Sequence, residues 1–377
     1  MQGAESVPRG RPVVKRRAAP DEAKLCESER VAKPSISRRA SLARVCLTAF
    51  SVLSALSVLA CSPPAKRSEV AAEKVRAGRM QLVVTVDWEG RDLRDENLQA
   101  IAELRRRFPD VKLVHFLTAA YFTKPDAAAE RVKAAMESVI RAGDEKGLHI
   151  HGWKRLFEAA GVTFRSEPTF WGTSLGDKDC LFDCGHEVPI DLYTTEELRR
   201  VVRFSIDTLR GHGFGSAKSF RCGGWIARPN VRDAIAAEGL VYEHSMVPTR
   251  FVEAKLTARG GPLYPWLREL WGDASPLTQP REIPTSAGPL VEVPDNGALA
   301  DYVTADQMVD VFEQNKAAFL ADRNTSVVVS IGFHQETAAK YLPALEEALS
   351  RIQSAARAEK IPLESVTSDA VVRRRST

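Results

Sequence analysis

Short β-branched runs alternate with stretches of helical spacing along most of the chain. Gln81–Val86 (QLVVTV) is a short β-branched run, typical of a buried strand. Over Asn97–Phe108, Leu98, Ile101, Leu104 and Phe108 recur at three- and four-residue spacing, which predicts a helix with one buried side. The same reading predicts strands at Val111–Leu117, Gly147–His151, Ser219–Arg221, Leu240–His244, Leu290–Val293 and Ser326–Ile331. Helices are predicted at Ala127–Ala142, Thr194–Leu209, Arg232–Glu238, Ala305–Leu320 and Tyr341–Ala358. Thr195 and Glu197 supply a start signal for the second of these, and Gly239 a stop signal for the third. Repeated strand–helix units predict one α/β domain, built as a parallel sheet or a (β/α) barrel.

In such folds chemistry gathers at the C-terminal ends of the strands. Asp87, His149, His151, Arg221 and His334 all fall at those predicted ends. Asp87 and Glu89 lie in TVDWEG, and residues two apart on a strand share a face. Adjacent carboxylates repel unless a cation or a proton is shared. The pair reads either as a metal ligand beside a base or as a solvated acidic loop. His149 and His151 form H-x-H, which aims both imidazoles one way and suits zinc. Arg221 precedes Gly223–Gly224, where the backbone can approach a neighbour closely, and is placed to orient a carboxylate. His334 follows an apolar strand and is a candidate proton donor.

Residues 153–190 interrupt the alternation with Trp153, Phe157, Phe164, Phe170, Trp171 and Phe182. They read equally as a lid or sugar-stacking wall and as a packed surface excursion. Within them Cys180 and Cys184 form C-x₃-C, with His186 two further on. A local disulfide, a second metal site and free thiols are all compatible with that spacing.

Composition sharpens the picture. Of 377 residues, 44% are hydrophobic, too many for a disordered chain. The net charge of +4 belongs to the N-terminal part, since residues 1–60 carry a net +6 and the rest a net −2. The body therefore has no electrostatic footprint for nucleic acid, and Arg373–Arg375 reads as a solvated tail. Val45–Ala60 is an uncharged apolar run preceded by Arg38, Arg39 and Arg44, the pattern of an export signal. Its end, VLAC, resembles a bacterial lipobox with Cys61 as the lipidated residue; an ordinary cleaved signal or a retained anchor are the other readings. The expected organisation is a leader over 1–61, a linker over 62–79, one domain over 80–367 and a basic tail over 368–377.

Taken in order, TVDWEG, GDEKGLHIHGW, FRCGGW and GFHQE resemble the motifs of polysaccharide deacetylases with a NodB-homology domain. The resemblance spans about residues 80–367 and implies a distorted (β/α) barrel. It implies metal-dependent removal of acetyl groups from a cell-envelope or extracellular glycan by a lipid-anchored, periplasmic or surface-facing bacterial protein. Asp87 takes the base position. Trp88 stands where the family commonly has a second aspartate, so Glu89 is the substitute ligand. The family's histidines are usually four apart, and Trp153 occupies that position, so His151 is expected to ligate beside His149. A divalent metal, zinc by donor type, would then be held by Glu89, His149 and His151. Arg221 would keep Asp87 ionised and His334 would protonate the leaving group. Trp88, Trp153, Trp225 and His186 are the expected substrate contacts. Two other readings are a catalytically degenerate glycan binder, suggested by Trp88 and Trp153, and a related hydrolase of small amides or imides.

Overall fold

The computed structural model describes residues 78–371. The leader, the Cys61 lipidation position, most of the linker and Arg373–Arg375 lie outside the described residues. Four strands open the sheet: β1 (Met80–Asp87), β2 (Leu113–Leu117), β3 (Glu145–Ile150) and β4 (Ser219–Cys222). They are followed by β5 (Tyr242–Glu243), β6 (Arg281–Ile283), β7 (Leu290–Glu292), β8 (Val327–His334) and β9 (Leu363–Ser365). The order is β6-β7-β5-β4-β3-β2-β1-β8, with every pairing parallel except β6–β7. β9 runs beside the first half of β1, and β2 beside its second half. All eight residues of β1 are buried, Gln81, Thr85 and Asp87 among them, as in a parallel strand covered on both faces.

Helices connect the parallel strands. They are α1 (Asp95–Arg107), α2 (Ala120–Thr123), α3 (Ala129–Glu137), α4 (Lys154–Ala159) and α5 (Thr195–Gly211), then α6 (Pro229–Ala237). The remainder are α7 (Thr249–Arg259), α8 (Leu263–Trp271), α9 (Ala305–Ala321) and α10 (Ala338–Ala358). α5 opens with a reciprocal cap between Thr194 and Glu197, which satisfies otherwise unpaired N–H groups. None of the described helices is long and apolar enough to cross a membrane.

The sheet curls, and a segment with little strand character completes the circuit. Val291 and Val293 donate to Val241 and Glu243, beside β5. Further on, Gly297 N donates to Ser330 O and Ala300 N to Gly332 O, along the free edge of β8. Side-chain amides fill the remaining places: Val328 N donates to Gln279 Oε1 at 2.7 Å, and Ser330 N to Asn296 Oδ1 at 2.8 Å. This is the expected distorted barrel, closed partly by buried amides.

Several boundaries differ from expectation. The helix predicted over 127–142 is confined to α3, with α2 before it. α7, α8, β6 and β9 were not predicted. The packed body reaches at least Val371, beyond the expected edge at 367. Gln81 Nε2 donates to Ala370 O, and Ser368 Oγ lies 2.9 Å from His244 Nε2.

Candidate metal and catalytic site

Strand register assembles the site. Asp87 and His334 end β1 and β8 and are direct partners, as His149 and Arg221 are across β3 and β4. Asp87 and Glu89 both line one cavity of about 280 Å³. Trp88 between them points to the opposite side, as strand alternation requires. Its ring is fully buried, with Nε1 3.3 Å from His115 Nδ1 and its face edge-on to Tyr121. Trp88 is therefore a core residue and not a substrate contact.

Four imidazoles surround the Glu89 carboxylate. His149 Nε2 is 3.3 Å and His334 Nε2 3.4 Å from Oε1. His151 Nε2 is 2.9 Å and His186 Nε2 2.5 Å from Oε2. Burial opposes ionisation of Glu89, but His151, His334 and His149 outweigh it and hold the carboxyl well below the usual range.

Hydrogen bonding on the far side of each ring separates the histidines into two kinds. His149 Nδ1 lies 2.8 Å from Arg221 O, and His151 Nδ1 2.7 Å from His186 O. A carbonyl only accepts, so each Nδ1 carries hydrogen. In the neutral ring Nε2 is then a bare lone pair facing a carboxylate oxygen. Acceptor against acceptor is stable only with an extra proton or a cation between them. A carboxylate oxygen of Glu89 and one ring nitrogen each of His149 and His151 lie within 4.8 Å of one another, a carboxylate–imidazole donor set that fits a zinc-type ion. His186 differs. Its Nδ1 lies 2.7 Å from Arg91 Nη2, which only donates, so its hydrogen is on Nε2 and points at Glu89. Burial and neighbouring His151 hold His186 well below the usual imidazole range, in keeping with that neutral tautomer. His186 lines the cavity, as expected of a substrate contact, but its polar atoms are engaged in orienting Glu89.

The Glu89 backbone is held from two sides. Trp153 Nε1 donates to Glu89 O at 2.8 Å, while Glu89 N and Arg91 N donate to the Glu336 carboxylate at 3.1 and 3.2 Å. Trp153 is buried, absent from the lining of this cavity, and covered by Lys124 Nζ at 3.5 Å. It supports the Glu89 loop in place of the expected substrate contact. Burial and Glu89 push Glu336 up to about 7.

Arg221 is fully buried and bridges two carboxylates instead of gripping one. Its Nη1 donates to Asp87 Oδ1 at 3.0 Å and to Thr85 Oγ1 at 2.9 Å; its Nη2 lies 3.4 Å from Asp295 Oδ1. Burial raises Asp295 to about 6, against the pull of Arg221. His334 Nδ1 lies 3.0 Å from Asp301 Oδ2. Burial would depress this imidazole, but Asp301, Glu89 and Asp87 outweigh it and push it up to about 10. These carboxylates favour the protonated form of the His334 ring.

Trp225 does line the cavity, and its Nε1 lies 3.3 Å from Asp295 Oδ2. The glycines before it make room: a Cβ on Gly223 would sit 2.7 Å from the His151 ring, and one on Gly224 2.6 Å from Phe170. Phe170, Trp171, Leu263 and Tyr302 complete the apolar wall. The aromatic excursion thus combines both readings, since Phe157 is core, Phe170 and Trp171 face the cavity, and Phe182 is exposed. Cys180 and Cys184 are disulfide-bonded. Asp295 and Asp301 carried no sequence signal, being single aspartates in a stretch without periodicity.

No protein-family model and no curated protein matches the chain. Among solved structures, a family 4 carbohydrate esterase from Streptomyces lividans, in complex with acetate, is similar at 12% identity and a TM-score of 0.37. That match covers 79% of this chain and 98% of the esterase. A 4-alpha-glucanotransferase from Thermococcus litoralis is similar at 12% identity and a TM-score of 0.38, over 78% of this chain and 40% of that one. A CE4 family pseudoenzyme from Bacillus anthracis is similar at 10% identity and a TM-score of 0.36, over 80% and 68%.

Proposed function

We propose that this chain is a metal-dependent deacetylase of the NodB-homology type, removing acetyl groups from a cell-envelope or extracellular glycan. One observation carries the reading: two imidazole lone pairs and a carboxylate converge, acceptor to acceptor, beside a buried aspartate and a histidine paired with Asp301. Glu89, His149 and His151 would hold a divalent cation of zinc type, which when bound would supply Lewis acidity toward the acyl oxygen and an acidified water. Asp87, fixed by Arg221, takes a proton from the attacking water. His334, kept protonated by Asp301, gives its proton to the departing amine or alcohol. Anchoring through Cys61 and placement in the cell envelope belong to the same proposal. Trp88 and Trp153 support the core and the Glu89 loop and do not line the cavity; a catalytically degenerate glycan binder is the alternative that the test below separates.

The test is acetate release from acetylated oligosaccharides by the metal-loaded protein. Release that disappears in Asp87→Asn supports the reading. Glycan binding without release by the wild type overturns it in favour of a binding protein, and turnover confined to small cyclic amides overturns it in favour of an amide hydrolase.

A further inference from the structure

The α7–α8 pair, which had no sequence signal, sets the charge at one side of the cavity mouth. Arg259, at the end of α7, lines the cavity with Trp171 and Leu263, and its guanidinium lies 5.1 Å from the Trp171 ring centroid. Lys255, one turn earlier on α7, places Nζ 5.6 Å from the ring of Tyr302, another cavity residue, and 5.0 Å from that of Tyr341. Both cations are exposed. Neither has a carboxylate at ion-pair distance among the described residues, and both lie against aromatic faces. The acid of α7, Glu253, is engaged by Tyr264.

Arg91, which lines the same cavity, is different. Glu187 lies 3.5 Å from its guanidinium and His186 2.7 Å. The acids deeper in the cavity are likewise engaged: Asp87 by Arg221 and Glu89 by the histidines. Among the described residues, the mouth beside α7 therefore carries positive charge that no carboxylate pairs directly. A guanidinium laid on an indole keeps its edge free, and its planar fork matches a carboxylate or phosphate.

We infer that the substrate carries an anionic group near the scissile acetyl, and that Arg259 and Lys255 recognise it. This rests on the deacetylase reading and narrows its substrate to acidic glycans. The group is a carboxylate, as on a uronic acid, or a phosphate ester; both present the same charge to the same fork.

The experiment compares three acetylated oligosaccharides matched in length: neutral, uronate-containing and phosphate-substituted. kcat/KM is measured with the metal-loaded full chain at low and high salt. Equilibrium binding of the deacetylated forms is measured alongside, as a readout independent of turnover. The expected result is a preference of roughly tenfold or more for one anionic oligomer, expressed in KM and Kd and eroded by salt. Arg259→Gln with Lys255→Gln should bring the anionic-to-neutral ratio close to one, while Arg259→Lys retains part of it. The better oligomer identifies the anion. Equal turnover and equal binding of all three overturn the inference and leave the deacetylase reading standing. Selective binding of the anionic oligomers without acetate release supports the inference and overturns that reading.

Discussion

His149 and Glu89 face each other with ring nitrogen against carboxylate oxygen, 3.3 Å apart, although the hydrogen of that ring lies on its other nitrogen, toward Arg221 O. Without a cation the arrangement requires extra protons. Glu89 accordingly raises His149 against the opposing effect of burial. Cation binding is therefore expected to release protons, and cation affinity to fall as pH falls. Calorimetry in buffers of different ionisation enthalpy measures this; heats independent of buffer would contradict it.

His186 should affect metal affinity without being a ligand. Removing the donor in His186→Ala is expected to weaken cation binding by roughly 10–100-fold. His186→Gln, which can still donate to Glu89, should recover most of that loss. Were His186 a ligand, Gln and Ala would be similarly poor. Competition titrations against a chromophoric chelator separate the two cases.

Asp87→Asn should bind the cation at wild-type stoichiometry, since Asp87 is held by Arg221 and is not one of the Glu89, His149 and His151 donors. Its turnover should fall by roughly 10²–10⁴-fold, the usual contribution of a general base. Metal analysis and acetate release on one sample check both halves. Wild-type turnover would remove Asp87 from the chemistry.

The His334–Asp301 pair predicts a pH dependence of stability. The folded imidazole is raised to about 10 from an ordinary 6.5, so the folded state holds the proton more tightly than the unfolded chain. The resulting stabilisation is complete below about pH 6.5 and is lost as pH rises through about 10. In metal-free protein, wild type and His334→Gln should therefore converge in denaturant midpoint across that window. A constant difference would show that His334 is not protonated in the folded state.

Trp88→Ala should act on folding. A fully buried aromatic cut to alanine costs about 3–5 kcal/mol. Trp225→Ala should act on the cavity, which that ring lines. Chemical denaturation of both variants, with acetate-release kinetics, tests the division.

The legible parts of this protein are those that follow from strand alternation. Asp87 with Glu89, and His149 with His151, share a face because a pleated chain repeats every two residues, and short parallel strands place their ends together. The same rule, applied one residue further, would have turned Trp88 inward. The second aspartates were hidden because Asp295 and Asp301 reach the site from the segment that closes the barrel, which bonds through amides and isolated backbone contacts. α7 and α8 were hidden for another reason. Gly260, Gly261 and Pro262 separate them, and Pro265 lies within the first turn of α8, where proline is tolerated. His186 comes from a loop whose partners, Arg91 and Glu89, lie far away in sequence.

Equilibrium dialysis of the purified full chain against zinc or cobalt, with the ion counted by elemental analysis, tests the central claim most directly. The account predicts one tightly held ion per chain in the wild type, and its loss from Glu89→Gln and from His149→Ala with the fold retained by circular dichroism. No bound ion in the wild type, or an undiminished ion in both variants, would contradict it.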